Sequence, residues 1–495
     1  MRSATFRTRV MLGVNAVVTV GLAFYLFLGP GCLVVSDLAD PAIRSTGIPR
    51  AAWRSHRYLA PRYARWARAR VVSGAAGELD LFDVPSTEWP IFGSVYYLWA
   101  TENLQAAWER DEGRSDSAPA VYAAEAIEAC VELIMDPVHH TWVRTHWGDG
   151  YMHRENAFFR SLIIAGLTSY ENLTGNARYR EVLLDQTTTL AQDLDRSRLG
   201  VLDDYPGECY PIDILAVWAC IKRADQLLGT DHSAEIERAR RAFEGEMLDP
   251  LGLPPFCMDS HTGEHLGPSR GVGNSYVLIF LPELWPDLAP EWYARYEAHF
   301  WQKHCWAEGF REFPPSEPDR EWSYDVDAGP IMAGFSPAAN AFGVAAAKVN
   351  GRLDHAYTLS TQVLAACWPL PGGGMLGTRL LSDPEHAPYL GETCMLFFLS
   401  HVTPAGTTLT TGGGAPPFVA CLLGGQFGVG VLILLSTWRT WRRKRAKPLP
   451  AEGVQYTVWL LLLATGGCLL LIGHASIGFI TVLLGQLLPR VARAQ

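Results

Sequence analysis

Formal charge is missing from three stretches of this chain: between Arg9 and Asp37, between Glu392 and Arg439, and between Glu452 and Arg490. Each stretch contains an apolar run near bilayer-crossing length. CxxC, HExxH and paired Cys/His knuckles are also missing, so no metal site is expected. Neither GxGxxG nor a P-loop occurs, which removes the usual signs of nucleotide binding, and no cofactor is expected. Strand-like alternation is scarce, which disfavours a sheet-based core.

Four apolar runs stand at residues 10–28, 418–437, 456–472 and 476–488. The last is short for a crossing, and a re-entrant or interfacial segment is its alternative. A cleaved signal peptide is the alternative for the first, but Gly29-Pro30-Gly31 is not a small-x-small cleavage site. Basic residues flank the runs: Arg2, Arg7 and Arg9, then Arg439, Arg442, Arg443, Lys444, Arg445 and Lys447, then Arg490 and Arg493. Lys and Arg gather on the cytoplasmic side, and four crossings place all three clusters there. The expected division is a cytoplasmic N-terminus and first span over 1–36, an extracytoplasmic domain over 37–410, and a membrane region over 411–495. The protein is then an integral protein of the cytoplasmic membrane with the bilayer as partner. The basic loop 439–447 reads as a topology determinant in contact with lipid headgroups, not as a nucleic-acid site. The net charge of −10 despite these clusters argues against a polyanionic partner for the outer domain. That domain holds seven cysteines, and an odd number leaves at least one thiol free in an oxidising compartment.

The outer domain reads as helical hairpins. Phe158, Phe159, Leu162, Ile163, Leu167 and Tyr170 follow helical spacing and stop at Thr174-Gly175, and a second helix begins near Ala177. The pattern repeats over 212–228, ending at Gly229, and over 338–349, ending at Asn350-Gly351. Glycine just past the last periodic residue is a C-cap signal. Turns rich in Gly, Pro and aromatic residues separate the hairpins: Trp147-Gly148-Asp149-Gly150-Tyr151, Tyr205-Pro206-Gly207-Glu208, and Asp327-Ala328-Gly329-Pro330. Helix pairs recurring about every 45 to 65 residues suggest an all-α fold, an (α/α)6 toroid with transmembrane helices at both ends; an open α-solenoid is the competing architecture.

The chain resembles the linalool dehydratase/isomerase family over about residues 147–401. The resemblance lies in Arg154-Glu155-Asn156 leading to Leu173-Thr174-Gly175 and Arg178-Tyr179, and in Leu228-Gly229-Thr230-Asp231. Weaker echoes are Leu248-Asp249-Pro250 and Tyr389-Leu390-Gly391-Glu392. The resemblance implies a periplasmic (α/α)6 enzyme acting on monoterpene alcohols. Its catalytic residues do not carry over. Counted without gaps, the family's catalytic histidine falls on Leu162 and its two catalytic cysteines on Asp204 and Asp213, with Cys209 and Cys220 out of register. Carboxylates would replace thiol–imidazole chemistry, and linalool itself is not the expected substrate.

Acids gather in two places: Asp203, Asp204, Glu208 and Asp213 among Tyr205 and Tyr210, and Asp325 and Asp327 beside Tyr324. Both clusters are read as opening inner-helix segments. Glu208, Asp213, Asp325, Asp327 and Asp204 are the candidate catalytic residues, since paired carboxylates in unlike surroundings can supply one protonated acid and one ionised base. Glu155 and Glu392 open helices, where an acid also serves as cap and dipole partner. Arg270 and Tyr276, in the segment running from Gly267 to Tyr276, join Trp147, Tyr151, Tyr210 and Tyr324 as candidate substrate contacts. His146 and His153 flank the Trp147–Tyr151 turn. These residue types suit a hydro-lyase or isomerase acting on a hydroxylated substrate. The alternatives are a glycan-active hydrolase and a toroid that only binds a lipid-linked or glycan ligand; the small molecule is an isoprenoid or a glycan, and no nucleic acid is involved.

Overall fold

The computed structural model describes residues 2–78, 83–110, 116–245, 247–446, 458–466 and 481–482. The chain is mostly helical. By contacts it forms two units: residues 35–420, and residues 1–34 together with 421–495.

The larger unit is a succession of helix pairs. In chain order these are α1 (Arg50–Ser73) and α2 (Trp89–Glu109), α3 (Ala124–Ile134) and α4 (Ala157–Thr174), α5 (Arg180–Arg196) and α6 (Pro211–Leu228), α7 (Ser233–Phe243) and α8 (Gly271–Leu284), α9 (Ala289–Phe300) and α10 (Pro337–Val349), and α11 (Leu353–Ala366) and α12 (Leu390–Ser400). The two kinds of helix differ in sequence for a physical reason. In α5 the buried positions are Leu183, Gln186, Thr187, Leu190, Ala191 and Leu194, one stripe at three- and four-residue spacing, as expected of a helix with one face on water. In α4 every residue from Phe159 to Glu171 is buried, so neighbours surround it. The even-numbered helices pack on one another in sequence: α2 on α4, α4 on α6, α6 on α8, α8 on α10, α10 on α12, and α12 on α2. Among the odd-numbered helices, α1 lies on α3 and α12, α3 on α2 and α4, α5 on α4 and α6, α7 on α5, α9 on α8, and α11 on α10. Gly175 and Gly229 end α4 and α6 in the left-handed region, at φ 67° and 75°, where a side chain would add strain.

Two short antiparallel hairpins interrupt the helices: β1 (Trp301–Lys303) with β2 (Glu308–Phe310), and β3 (Trp322–Asp325) with β4 (Gly329–Met332). The second corrects a sequence expectation. Asp325 and Asp327 sit at the turn of a hairpin, not at a helix start. Asp325 Oδ1 accepts from the N–H groups of Asp327, at 3.0 Å, and Ala328, at 3.2 Å, which closes the turn before α10 can begin.

Two helical runs lie mostly in the terminal unit and are long and apolar enough to cross a membrane: Arg9–Leu38, with a π turn at Phe24–Leu28, and Pro417–Arg443. Only 28% and 17% of their most apolar windows are buried, unlike the core helices of a soluble domain. Glycines permit close approach here, since a Cβ on Gly430 would lie 2.6 Å from Leu28 Cδ2. Residues 458–466 of the third apolar run are helical. The rest of that run, the run at 476–488 apart from 481–482, and Lys447, Arg490 and Arg493 lie outside the described residues.

Candidate functional site

The starts of α2, α4 and α6 meet around a set of carboxylates. Asp204, in the loop before α6, ties two of these helix starts together: its Oδ1 accepts from Phe158 N–H at 2.7 Å, and its Oδ2 from Tyr210 N–H at 3.1 Å. Glu155 supports the same loop by accepting from Asp203 N–H at 2.9 Å. Glu88 immediately precedes α2 and accepts from Tyr205 Oη at 2.9 Å. Asp213 lies in the first turn of α6, and Asp327 reaches the group from the β3–β4 turn.

These acids disturb one another. Burial raises Asp204 to about 8, helped by the charges of Asp203 and Glu88 and opposed by its two backbone donors. Burial pushes Asp213 well above the carboxylate range, and Asp204, Glu88 and Asp327 push it further. Glu88 rises to about 7 by burial, against the Tyr205 hydrogen bond and with Asp327. Asp327 is raised by burial and by Asp325. Asp327 is nonetheless exposed, and Asp213 and Glu88 are half-buried. Crowding and exposure agree if these groups line a cleft, where water reaches them but does not surround them. None of the four forms an ion pair with a described residue. Asp204 alone is held by two N–H donors, while Asp213 accepts no hydrogen bond from a described residue. The negative charge of this pair therefore settles on Asp204 and the proton on Asp213.

The other candidates divide by their contacts. Tyr276 is buried against Phe280 and Phe342 and lies in the field of Asp213. Tyr210 donates to Glu208 Oε2 at 3.0 Å, and Glu208 stands exposed on the rim. Arg270 is committed elsewhere: its Nε donates to Glu312 at 2.8 Å, and its Nη2 lies 2.7 Å from Asp325. That guanidinium lowers the Asp325 carboxyl against the effect of its burial, leaving Asp325 a structural anion beside the freer Asp327. Gly271 makes this crossing possible, because a Cβ there would meet the Arg311 carbonyl oxygen at 2.1 Å. Trp147 is half-buried in a neighbouring groove. Three candidates stand apart. Tyr151 meets His140 Nδ1 at 3.0 Å, Tyr324 is 75% exposed on the hairpin, and Glu392 accepts from Met375 N–H and Arg379 Nε at 2.8 and 2.9 Å. Sequence reasoning missed Glu88 and the hydroxyl of Tyr205. The available signal was Thr87-Glu88-Trp89-Pro90, an acid just before a proline that opens a helix.

The seven cysteines of the larger unit are free thiols. Cys209 is fully buried beside Asp204 and Asp203, and burial and those charges hold it well above the thiol range; burial pushes Cys220 up to about 12. Protonated thiols are poor nucleophiles. Among the described residues, no group of three or more His, Cys, Asp or Glu side chains could hold a metal ion. A cavity of about 550 Å³ lies toward the other ends of the even-numbered helices, lined by Glu102, Cys220, Arg223, Phe397 and His401. Its charges are satisfied: Arg223 pairs with Glu283 at 2.7 Å, and Glu102 accepts from Ser169 and Asn172. Tyr96, Trp99, Phe342, Phe397 and Phe398 pack as an aromatic plug between that cavity and the carboxylates. No family model matches the chain, and no curated protein matches it.

Proposed function

We propose that this chain is a membrane-anchored extracytoplasmic enzyme that breaks a C–O bond of a hydroxylated substrate by carboxylate acid–base catalysis. The observation that carries this reading is the meeting of Glu88, Asp204, Asp213 and Asp327 with no ion-pair partner among the described residues and with their carboxyls raised above the ordinary carboxylate range. The cyclic packing of the even-numbered helices supports an (α/α)6 toroid of the linalool dehydratase/isomerase kind, with the acids at one mouth. In this mechanism Asp213 gives its proton to the departing oxygen. Glu88, ionised and steadied by Tyr205, takes a proton from the adjacent carbon, so that an alkene and an alcohol or water are released. The same pair would hydrolyse a glycosidic bond if Glu88 activated water instead. The open groove beside the cluster and its Trp147 wall favour this glycan reading over a small terpene alcohol.

Glu88 must be ionised to act as base. A carboxyl raised to about 7 should therefore make kcat/KM fall as pH drops through about 7, roughly tenfold per pH unit below it. Glu88→Gln should remove most turnover together with that limb. An acid limb near the ordinary carboxylate value of about 4 would exclude Glu88 as base. The orientation rests on the basic clusters flanking the apolar runs. Alkaline phosphatase fused after Gly406 should be active, and an inactive fusion there would place the domain in the cytoplasm.

A further inference from the structure

We propose that the substrate carries an oxyanion, a phosphate or a carboxylate, bound in the groove beside the carboxylate cluster. This rests on the acid–base reading of that cluster and adds the class of molecule it acts on. The groove measures about 690 Å³, and Arg154, Arg196, Arg198, His146, His153 and Trp147 are among its walls. The chain is acidic overall, yet three arginines line this groove. The Arg154 side chain makes no hydrogen bond or ion pair with any described residue. Arg196 is 73% exposed and reaches Asp193 only at 3.9 Å, while the other Asp193 oxygen is taken by the buried Arg160 at 2.9 Å. Arg198 is braced by the carbonyls of Thr262, at 2.9 Å, and His261, at 3.4 Å, so its charge is fixed in place. The acids on these walls are engaged, Glu155 with Asp203 N–H and Asp193 with Arg160. The guanidinium forks of Arg154 and Arg196 match the paired oxygens of phosphate or carboxylate.

The groove adjoins the chemistry. His146 packs edge-on against Tyr205, with ring centres 5.7 Å apart, and the Tyr205 hydroxyl is the one that holds Glu88. An oxyanion between Arg154 and Arg196 would leave the hydroxylated part of the same molecule at the Tyr205–Pro206 turn. Its charge would also favour the protonated form of the nearby acids, as a proton donor requires. The overall negative charge repels an extended polyanion but not one oxyanion at a local cationic site.

Calorimetric titration of the full-length protein in detergent tests this, with glucose 1-phosphate, glucuronate and glucose as probes. At least one anionic sugar should bind at least tenfold more tightly than glucose, and the tighter of the two identifies phosphate or carboxylate. The double variant Arg154→Gln/Arg196→Gln should lose at least tenfold in that affinity at an unchanged thermal midpoint. Arg154→Lys, which keeps charge but not the fork, should lose less than Arg154→Gln. Anions that bind no better than glucose, or equally well to the double variant, would overturn the proposal. Asp213→Asn separates the two readings: retained anion binding with full turnover would reject the acid–base reading and leave the oxyanion site standing.

Discussion

Asp213→Asn should lower turnover by about 10²- to 10⁴-fold, the usual consequence of removing a general acid, while leaving the fold at least as stable as before. The amide is nearly isosteric, and it cannot supply the proton. The stability half of this expectation follows from linkage. The Asp213 carboxyl binds its proton more tightly folded than unfolded. Ionisation therefore favours the unfolded chain, and the folded state loses stability as pH rises above the ordinary carboxylate value of about 4. A neutral amide removes that penalty, so the thermal midpoint near neutral pH should hold or rise. Full activity in a folded variant would place the proton donor elsewhere. A fall in the midpoint would show that Asp213 is a helix cap, as its place in the first turn of α6 would also allow.

Glu312→Ala should destabilise the larger unit by about 3 kcal/mol, at the low end of what breaking a buried ion pair costs. Glu312 is fully buried; it accepts from Arg270 Nε at 2.8 Å and from Val272 N–H at 3.2 Å. Its loss strands a buried guanidinium and a helix-start N–H together. Asp325 still faces Arg270, which keeps the effect from growing larger. Glu312→Gln retains an acceptor for both donors and should cost clearly less. Thermal unfolding of the two variants in detergent checks the order, and equal losses would mean that side-chain packing, not charge, holds this crossing.

The helices were legible because their ends are written locally. Gly175 and Gly229 stop α4 and α6 where the apolar spacing stops, and the one-sided stripe of α5 differs visibly from the all-round burial of α4. The apolar runs at both ends could be found from the absence of charge alone. The candidate site was only half legible. Asp204 and Asp213 stood out because acids among tyrosines and prolines open a helix there, but nothing local shows that Glu88, more than a hundred residues earlier, meets the same loop through Tyr205. Asp325 and Asp327 look alike in sequence. The hairpin turn separates them, pairing Asp325 with Arg270 and leaving Asp327 without an ion pair among the described residues. The role of Arg270 likewise depends on Glu312, 42 residues away, which no spacing rule connects to it.

The central claim is that a carboxyl proton is held at neutral pH where Asp213 meets Asp204, and the carbonyl stretch of protonated carboxyl groups, followed by infrared spectroscopy across a pH titration, reads it without knowledge of the substrate. A protonated-carboxyl band should persist at about pH 7, where ordinary Asp and Glu are ionised, and the band should shrink in Asp213→Asn. A wild-type spectrum in which every carboxyl has lost its proton by about pH 5, or a neutral-pH band unchanged in Asp213→Asn, would contradict the account.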